Sequence, residues 1–180
     1  MINESQLLEQ LKSDASRDSA FKDLISLYKE RLYWHIRNIV KSHDDTDDVL
    51  QNTFIKIFRN INSFNGDSKL YSWMYRIATN EAISFINKRA KLLQITNEET
   101  QQLALDHLQS DVYFEGDEIQ YKLQQAIAKL PHKQQLVFNM RYFEDIKYKD
   151  MSEILETSEG ALKASYHLAV KKIEDYLTHD

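Results

Sequence analysis

Two stretches of the sequence carry polar side chains at a spacing that suits contact with nucleic acid. In the first, residues four, four, three and one apart share one side of a predicted helix over about residues 70–90: Arg76, Asn80, Ser84, Asn87 and Lys88. Arg89 and Lys91 follow at the end of this row. Such a row could hold a DNA strand whose bases are exposed. From spacing alone, the simpler interpretation is an ordinary solvated helix face.

A loop is predicted directly before this helix, over residues 62–68, because of its Asn, Ser and Gly content. It offers Phe64 for stacking on a base, a contact worth about 1–3 kcal/mol. Asn65, Asp67 and Ser68 could hydrogen-bond to base edges. The loop and the helix together could therefore bind a strand separated from its complement.

The second stretch is a pair of short helices near the C-terminus. Residues 148–155 are amphipathic, and Ser158 is a plausible N-cap for a helix with Lys163, His167 and Lys171 on its outer side. Two helices joined by so short a turn indicate a helix-turn-helix, in which the second helix enters the DNA major groove. An ordinary helical hairpin with a solvated face would give the same pattern.

A third surface is predicted on a helix over residues 47–61, where an apolar side chain lies among amides and charges. Its outward residues are Asp48, Gln51, Asn52, Ile55 and Lys56. Such a mixture suits a docking face for a protein partner, although a solvated helix is the usual explanation.

The composition argues against an enzyme and against a metal or cofactor site. The chain has no Cys, and its six His lie far apart without a metal-binding spacing. Its three Gly cannot form a phosphate-binding loop. No Ser/His/Asp or paired-carboxylate arrangement stands out, so we expect no catalytic residue, no metal and no cofactor.

The fold that must position these residues is predicted to be all-α. Apolar residues make up 42% of the 180 residues, and three Gly and one Pro are too few for a sheet protein rich in turns. Apolar stripes at helical spacing occur over residues 21–40, 50–61, 70–90 and 119–173. The inner side of the third stripe is predicted to hold Leu70, Trp73, Met74, Ile77, Ala78, Phe85 and Ile86.

The charge distribution divides the chain into three parts. Residues 91–118 contain one base and seven acids, whereas both flanking parts are close to neutral. The sequence therefore predicts a helical domain over residues 1–92, an acidic linker over 93–118 and a smaller helical domain over 119–180. Neither a signal peptide nor a membrane-spanning run is expected, so the predicted location is the cytoplasm.

These segments, taken in order, resemble the extracytoplasmic-function group of sigma factors of bacterial RNA polymerase. Residues 47–54, DDVLQNTF, are similar to the family's DDLVQETF-type segment. Residues 64–68, FNGDS, and 72–80, SWMYRIATN, resemble its F-x-G-x-S and W-L-Y-R-I-A-x-N signature. Leu130-Pro131 and residues 158–163, SEGALK, resemble its C-terminal helix-turn-helix domain, so the likeness spans residues 20–92 and 119–177.

The resemblance implies a transcription initiation factor with several partners. The Asp48–Lys56 face would dock on the beta-prime clamp of core polymerase, and the second domain would meet the beta flap. The Phe64 loop and the Arg76 row would bind the melted minus-ten promoter element. The minus-thirty-five element would be contacted as duplex by Ser158, Lys163, Ala164, Ser165, His167 and Lys171. An anti-sigma factor is expected, and membrane insertion is not.

This sequence departs from the family pattern at the turn and on the recognition helix. Glu156 stands where the family often has Gly, Ser165 and Leu168 where it often has Arg, and Asn52 where it usually has Glu. We expect the turn to close nonetheless. Two alternatives stay open at this point: a stand-alone helix-turn-helix regulator, and a helical adaptor that does not bind DNA.

Overall fold

The computed structural model describes residues 4–94, 96, 99, 102, 103, 105, 106 and 118–179. Every regular element within these residues is helical, which confirms the all-α prediction. The helices are α1 (Glu4–Lys12), α2 (Arg17–Val40), α3 (His43–Asn60), a short 3-10 turn (Ile61–Ser63), α4 (Leu70–Leu93), α5 (Glu118–Ala128), α6 (His132–Tyr142), α7 (Tyr148–Leu155) and α8 (Glu159–His179).

Helices α1–α4 form the first helical group. Helices α2, α3 and α4 pack against one another in all three pairs, and α1 lies against α2 and the 3-10 turn. Their shared interior is aliphatic, with Leu32, Ile36, Ile57, Leu70 and Met74 fully buried. Because each such side chain contributes about 1.5–3 kcal/mol when buried, this interior fixes how the predicted DNA-facing row on α4 is presented.

Helix α1 was not predicted from the sequence. Leu7 and Leu11 are its two buried residues, and Lys12 Nζ donates a 2.6 Å hydrogen bond to the carbonyl oxygen of Phe64. The carboxylate of Glu4 accepts a 2.9 Å hydrogen bond from the N–H of Leu70, at the start of α4. Helix α1 therefore ties down both ends of the loop that precedes α4.

Helices α5–α8 form the second helical group. Helix α8 contacts α5, α6 and α7. The inner side predicted for α8 is confirmed, since Leu162, Ala169 and Ile173 are buried and Tyr166 packs beside them. Pro131 lies just before α6, as expected for a residue that cannot continue the preceding helix.

The start of α3 differs from the prediction. The helix begins at His43, four residues before the expected Asp47, because Ser42 caps it: Ser42 Oγ accepts from the N–H of Asp45 at 3.4 Å. The acidic residues before Asp47 thus form the first turn, where Asp44 and Asp45 face the positive end of the helix dipole.

The buried side of α4 is also rotated relative to the prediction. Leu70, Met74 and Ala78 are buried as expected, whereas the predicted Trp73, Ile77, Phe85 and Ile86 are only half-buried. In their place the interior takes in Tyr75, Thr79 and Ala82. The reason is that α4 is covered from a second direction, by α7 of the second helical group.

The two helical groups meet along a contact that we call the seam. Helix α4 packs on α7 and α2 on α6. One continuous apolar cluster crosses the seam, joining Met74 and Ala78 with Met140, Met151 and Ile154. No pattern in the sequence predicted this contact.

Most of the predicted acidic linker lies outside the described residues. Among those described, the N–H of Thr96 donates to the Glu99 carboxylate at 2.6 Å, and the N–H of Glu99 donates to Thr96 Oγ1 at 3.2 Å. This reciprocal pair is a capping box, which starts a helical turn.

Candidate nucleic-acid interface

The polar row on α4 lies on the surface. Asn80, Ser84, Asn87 and Lys88 are exposed, while the intervening residues of the helix pack inward. Arg89 is half-buried and its guanidinium pairs with the carboxylate of Asp45 on α3. The exposed part of the row thus presents two amides, a hydroxyl and an ammonium group, which can donate and accept hydrogen bonds along one line.

Arg76, the first residue of the row, is engaged by the second helical group. Its guanidinium donates to the carbonyl oxygen of Glu153 and pairs with the Glu156 carboxylate, with Nη1 3.1 Å from Oε1. One third of its side-chain surface stays exposed. The row therefore begins inside the seam and continues on open surface.

The loop before α4 is built differently from the expectation. Phe64 is buried, with 3% of its surface exposed, and its ring packs on Trp73 with the ring centroids 5.3 Å apart. The prediction that this ring lies free for base stacking is therefore wrong for this arrangement, because Phe64 closes the core under the loop. Asn65 and Asp67 are exposed, and the side-chain oxygen of Asn65 accepts from the N–H of Asp67 at 3.5 Å in an Asx turn, whereas Ser68 is half-buried.

Glycine is required at position 66 by the path of this loop. Gly66 has φ +85°, a conformation that side chains with a Cβ rarely adopt, and nothing lies near the position where a Cβ would be. The neighbouring Asn65 and Asp67 side chains hydrogen-bond to each other. This turn holds the polar groups of the loop at the N-terminal end of the α4 row.

All five residues of the predicted docking face on α3 are exposed. The face consists of Asp48, Gln51, Asn52, Ile55 and Lys56, with Ile55 41% exposed. Beside it lies an apolar groove between α2 and α3, lined by Phe21, Ile25, Phe54, Phe58 and Ile55. Phe21 and Ile25 belong to the apolar stripe predicted over residues 21–40, and their part in this surface was not predicted.

The helix-turn-helix closes as expected. Glu156 takes the left-handed conformation at the end of α7, with φ +50°, and Ser158 caps α8 by accepting from the N–H of Ala161 at 3.3 Å. Lys163, Ala164, His167 and Lys171 are exposed on α8, whereas Ser165 is half-buried. The Nζ of Lys163 lies 3.7 Å from the Glu159 carboxylate, one turn earlier in the helix.

A group of seam residues was missed entirely from the sequence. The His35 ring is fully buried on α2, with Nδ1 3.0 Å from the Glu144 carboxylate and Nε2 2.8 Å from Thr79 Oγ1. Tyr75 packs on this ring, and burial, together with the charge of Glu144, raises the pKa of Tyr75 to about 12. No sequence pattern indicates such a contact, since His35 and Glu144 are 109 residues apart.

Two further kinds of site were sought in the part of the chain that the structure describes. No helix there is long and apolar enough to cross a membrane. No group of three or more His, Asp or Glu side chains there is placed to hold a metal ion.

Comparison with known protein families matches both helical groups. Residues 24–92 match Sigma-70 region 2, and residues 120–173 match Sigma-70, region 4. These two ranges hold the α4 row, the α3 face and the helix-turn-helix.

Known relatives match along almost the whole chain. The RNA polymerase sigma-H factor of Pseudomonas aeruginosa is 28% identical over 97% of this chain and 93% of its own length. The ECF RNA polymerase sigma factor SigW of Bacillus subtilis is also 28% identical, over 82% of this chain and 83% of its own. The ECF RNA polymerase sigma-E factor of Escherichia coli is 24% identical over 87% and 85%.

Solved structures share the fold. CnrH, in complex with the cytosolic domain of CnrY, superposes with a TM-score of 0.71 at 20% identity, covering 98% of both chains. The sigma factor RpoE of Bartonella quintana, in complex with the anti-sigma factor NepR, has a TM-score of 0.68 at 21% identity, covering 89% of this chain and 98% of its own.

The family matches set aside the stand-alone regulator and the helical adaptor, since neither would carry both regions in this order. The chain belongs to the extracytoplasmic-function group of the sigma-70 family and is an RNA polymerase sigma factor.

Proposed function

We propose that the two helical groups divide promoter recognition between them, with domain boundaries at about residues 92 and 119. Residues 1–92 would bind core polymerase and the melted minus-ten element, and residues 119–180 would bind the minus-thirty-five element as duplex. The observation that carries this proposal is the exposed row of Asn80, Ser84, Asn87 and Lys88 on α4, directly after the loop closed by Gly66.

The chemistry of each surface supports its assignment. The α4 row offers hydrogen-bond donors and acceptors, with the exposed ammonium groups of Lys88 and Lys91 at its C-terminal end, which suits base edges better than a duplex backbone. On α8, the exposed Lys163, His167 and Lys171 can reach phosphates and major-groove edges. Because the chain carries a net charge of −5, strong DNA binding would need the core enzyme to hold both surfaces on the promoter together.

The partners follow from these surfaces. The α3 face, with the apolar groove beside it, would dock on the beta-prime clamp, and the second helical group would meet the beta flap. An anti-sigma factor is proposed because RpoE of Bartonella quintana, which shares this fold, is held by one. The protein would act in the cytoplasm, where the polymerase works, and would have no catalytic activity of its own.

Single-round transcription with purified core polymerase tests the assignment. Asn80→Ala should reduce promoter opening by about tenfold, because losing a base contact worth about 1–3 kcal/mol weakens the melted complex. Opening is read from the permanganate reactivity of unpaired thymines. Gln10→Ala on α1, which also removes an exposed amide, should leave it unchanged. If core plus this chain yields no promoter-specific transcript, the proposed function is wrong.

A further inference from the structure

The seam separates charges by sign. Its ion pairs and charged hydrogen bonds take their basic partners from the first helical group, as His35, Lys69 and Arg76. Their acidic partners come from the second helical group, as Glu144, Asp150 and Glu156. Each group as a whole carries nearly as many basic as acidic side chains, so this sorting is a property of the seam.

The contacts are close and partly desolvated. Lys69 Nζ lies 2.8 Å from Asp150 Oδ1, and the Asp150 side chain is 7% exposed. The His35–Glu144 contact of 3.0 Å joins side chains that are 0% and 10% exposed. A further hydrogen bond of 3.3 Å runs from Asn139 Nδ2 to the carbonyl oxygen of Asn38. Such pairs hold a fixed register, since removing one partner leaves a buried polar group unsatisfied.

Two of the three basic residues border the proposed DNA-binding surface. Lys69 directly follows the Asn65–Ser68 loop, and Arg76 begins the α4 row. In the observed arrangement a carboxylate from α7, or from the turn after it, occupies each of them. A DNA strand following the row toward the loop would need the same two cations for its phosphates.

We infer that the second helical group acts as an internal competitor of DNA, with Asp150 and Glu156 occupying the cations Lys69 and Arg76 that border the minus-ten surface. The closed molecule is then an inhibited form, and promoter binding requires the seam to separate. This inference rests on the proposed function for the identity of the surface, while the seam itself is observed directly.

The turn of the helix-turn-helix takes part in the same contact. Arg76 binds the carbonyl oxygen of Glu153 and the carboxylate of Glu156, and Glu156 is the left-handed residue that ends α7. The recognition element of the second helical group is thereby fixed against the first group. Opening the seam frees both proposed promoter-binding surfaces in one step.

The absence of Cys permits a direct measurement of opening in the full chain. Donor and acceptor dyes on Asn62→Cys and Lys172→Cys, both at exposed positions, report the distance between the helical groups by energy transfer. In parallel, fluorescence anisotropy measures affinity for short single-stranded DNA of mixed sequence at low salt. Glu144→Gln, Asp150→Asn and Glu156→Gln each remove one acidic partner. All three should lower energy transfer and raise DNA affinity at least threefold.

Asp145→Asn is the matched control. It removes one negative charge beside Glu144, but the ion pair of Asp145 is with Arg141 of the same helical group, and its side chain is 89% exposed. It corrects for the general gain in DNA affinity that follows when any acidic side chain loses its negative charge. Glu156→Gln keeps the test valid should the buried Asp150→Asn fail to fold, because the Glu156 side chain is 73% exposed.

Two outcomes would overturn the inference. If the three variants keep the energy transfer of the unmodified chain, the ionic contacts do not hold the seam. If energy transfer falls while DNA affinity matches that of Asp145→Asn, the seam does not mask the DNA surface. A chain that opens as expected but supports no transcription with core enzyme would instead refute the proposed function and leave the seam intact.

Discussion

Lys69 and Asp150 meet across the seam, with Nζ 2.8 Å from Oδ1, although they lie 81 residues apart in the chain. Burial alone would raise the pKa of Asp150, but hydrogen bonds from Lys69 and Tyr71 and the charges of Lys69 and Lys147 outweigh it and hold that pKa below its ordinary value of 3.8. The same hydrogen bond raises the pKa of Lys69. The pair is therefore ionised, and its carboxylate favours the closed arrangement.

Acid should weaken the seam through Asp150. A carboxyl group with a lowered native pKa stabilises the folded state above its unfolded pKa, and this contribution is lost as the pH falls through the native value. At neutral pH, Asp150→Asn should lower the free energy of unfolding by about 1–3 kcal/mol. The difference between the two proteins should shrink below about pH 4, measured by urea unfolding. A difference that stays constant down to about pH 2 would contradict this account.

Replacing Lys41 with an apolar residue should make the protein more stable. Lys41 is 4% exposed at the end of α2, and burial together with the charge of Arg37 lowers its pKa to about 7. A base with a lowered native pKa costs stability at neutral and lower pH, and that cost falls as the pH rises from about 7 to about 10.

Lys41→Met should therefore raise the free energy of unfolding at pH 7, by up to about 1.4 kcal/mol per unit of lowered pKa. The left-handed backbone at this residue, with φ +68°, is equally strained for Met and Lys. The gain should disappear near pH 10 in urea unfolding series. Lys149→Met, at an exposed position of α7, provides the comparison and should change stability little at any pH.

The backbone conformation of Glu156, in the turn of the helix-turn-helix, costs a small amount of folding free energy. Its φ of +50° disfavours any residue with a Cβ. Glu156→Gly should be more stable than Glu156→Ala by about 1 kcal/mol in thermal or urea unfolding. Both variants lack the carboxylate that meets Arg76, so the comparison isolates the backbone. Equal stability of the two would mean that the turn relaxes when the side chain is lost.

The docking face should depend on Ile55. Ile55→Asp places a charge on an exposed apolar position beside the groove between α2 and α3, and should weaken association with core polymerase at least tenfold. Leu27→Asp on α2, where Leu27 is 46% exposed, makes the same chemical change elsewhere on the helical group. Circular dichroism should show unchanged helix content for both. If both variants bind core polymerase equally well, Ile55 is not part of the docking surface, and the assignment of that surface to α3 is wrong.

The lysines of α8 should set the salt dependence of promoter binding. Lys163→Gln and Lys171→Gln should each reduce the slope of log affinity against log salt by about one when the assembled polymerase binds duplex promoter DNA. The loss should be similar for different promoters, because phosphates carry no sequence information. Lys133→Gln, at an exposed position of α6, should not alter the slope. An unchanged slope for both α8 variants would show that this helix does not face the DNA backbone.

Periodicity and caps were enough to predict the helical segments after α1 and the order of the surfaces, but they missed α1 itself and the early start of α3. Ser158 was recognisable as a cap from its position before an apolar stripe, and the structure confirms it. Thr79 illustrates what sequence could not reveal. It is buried beneath the His35 ring of α2, which in turn contacts Glu144 in the turn after α6, and no local pattern records such distant neighbours.

Phe64 shows the same limit in the other direction. A phenylalanine in a polar loop is equally consistent with a stacking platform and with a plug that closes the core. In this arrangement the loop path set by Gly66 and the packing against Trp73 place the Phe64 ring inside the core. Exposure at such a position depends on tertiary packing, which outweighs the character of the surrounding loop.

Under the proposed function, Arg76 serves both the seam and the DNA surface, and this would constrain how the protein can change its target genes. Asn80, Ser84 and Asn87 lie on open surface, so substitutions there can retune base preference while the interior stays as it is. A substitution at Arg76 would remove the inferred phosphate contact and, at the same time, change the fraction of molecules in the open form. New promoter specificities should therefore arise through substitutions at Asn80, Ser84 and Asn87. Arg76 should change less often, because a substitution there also alters the seam.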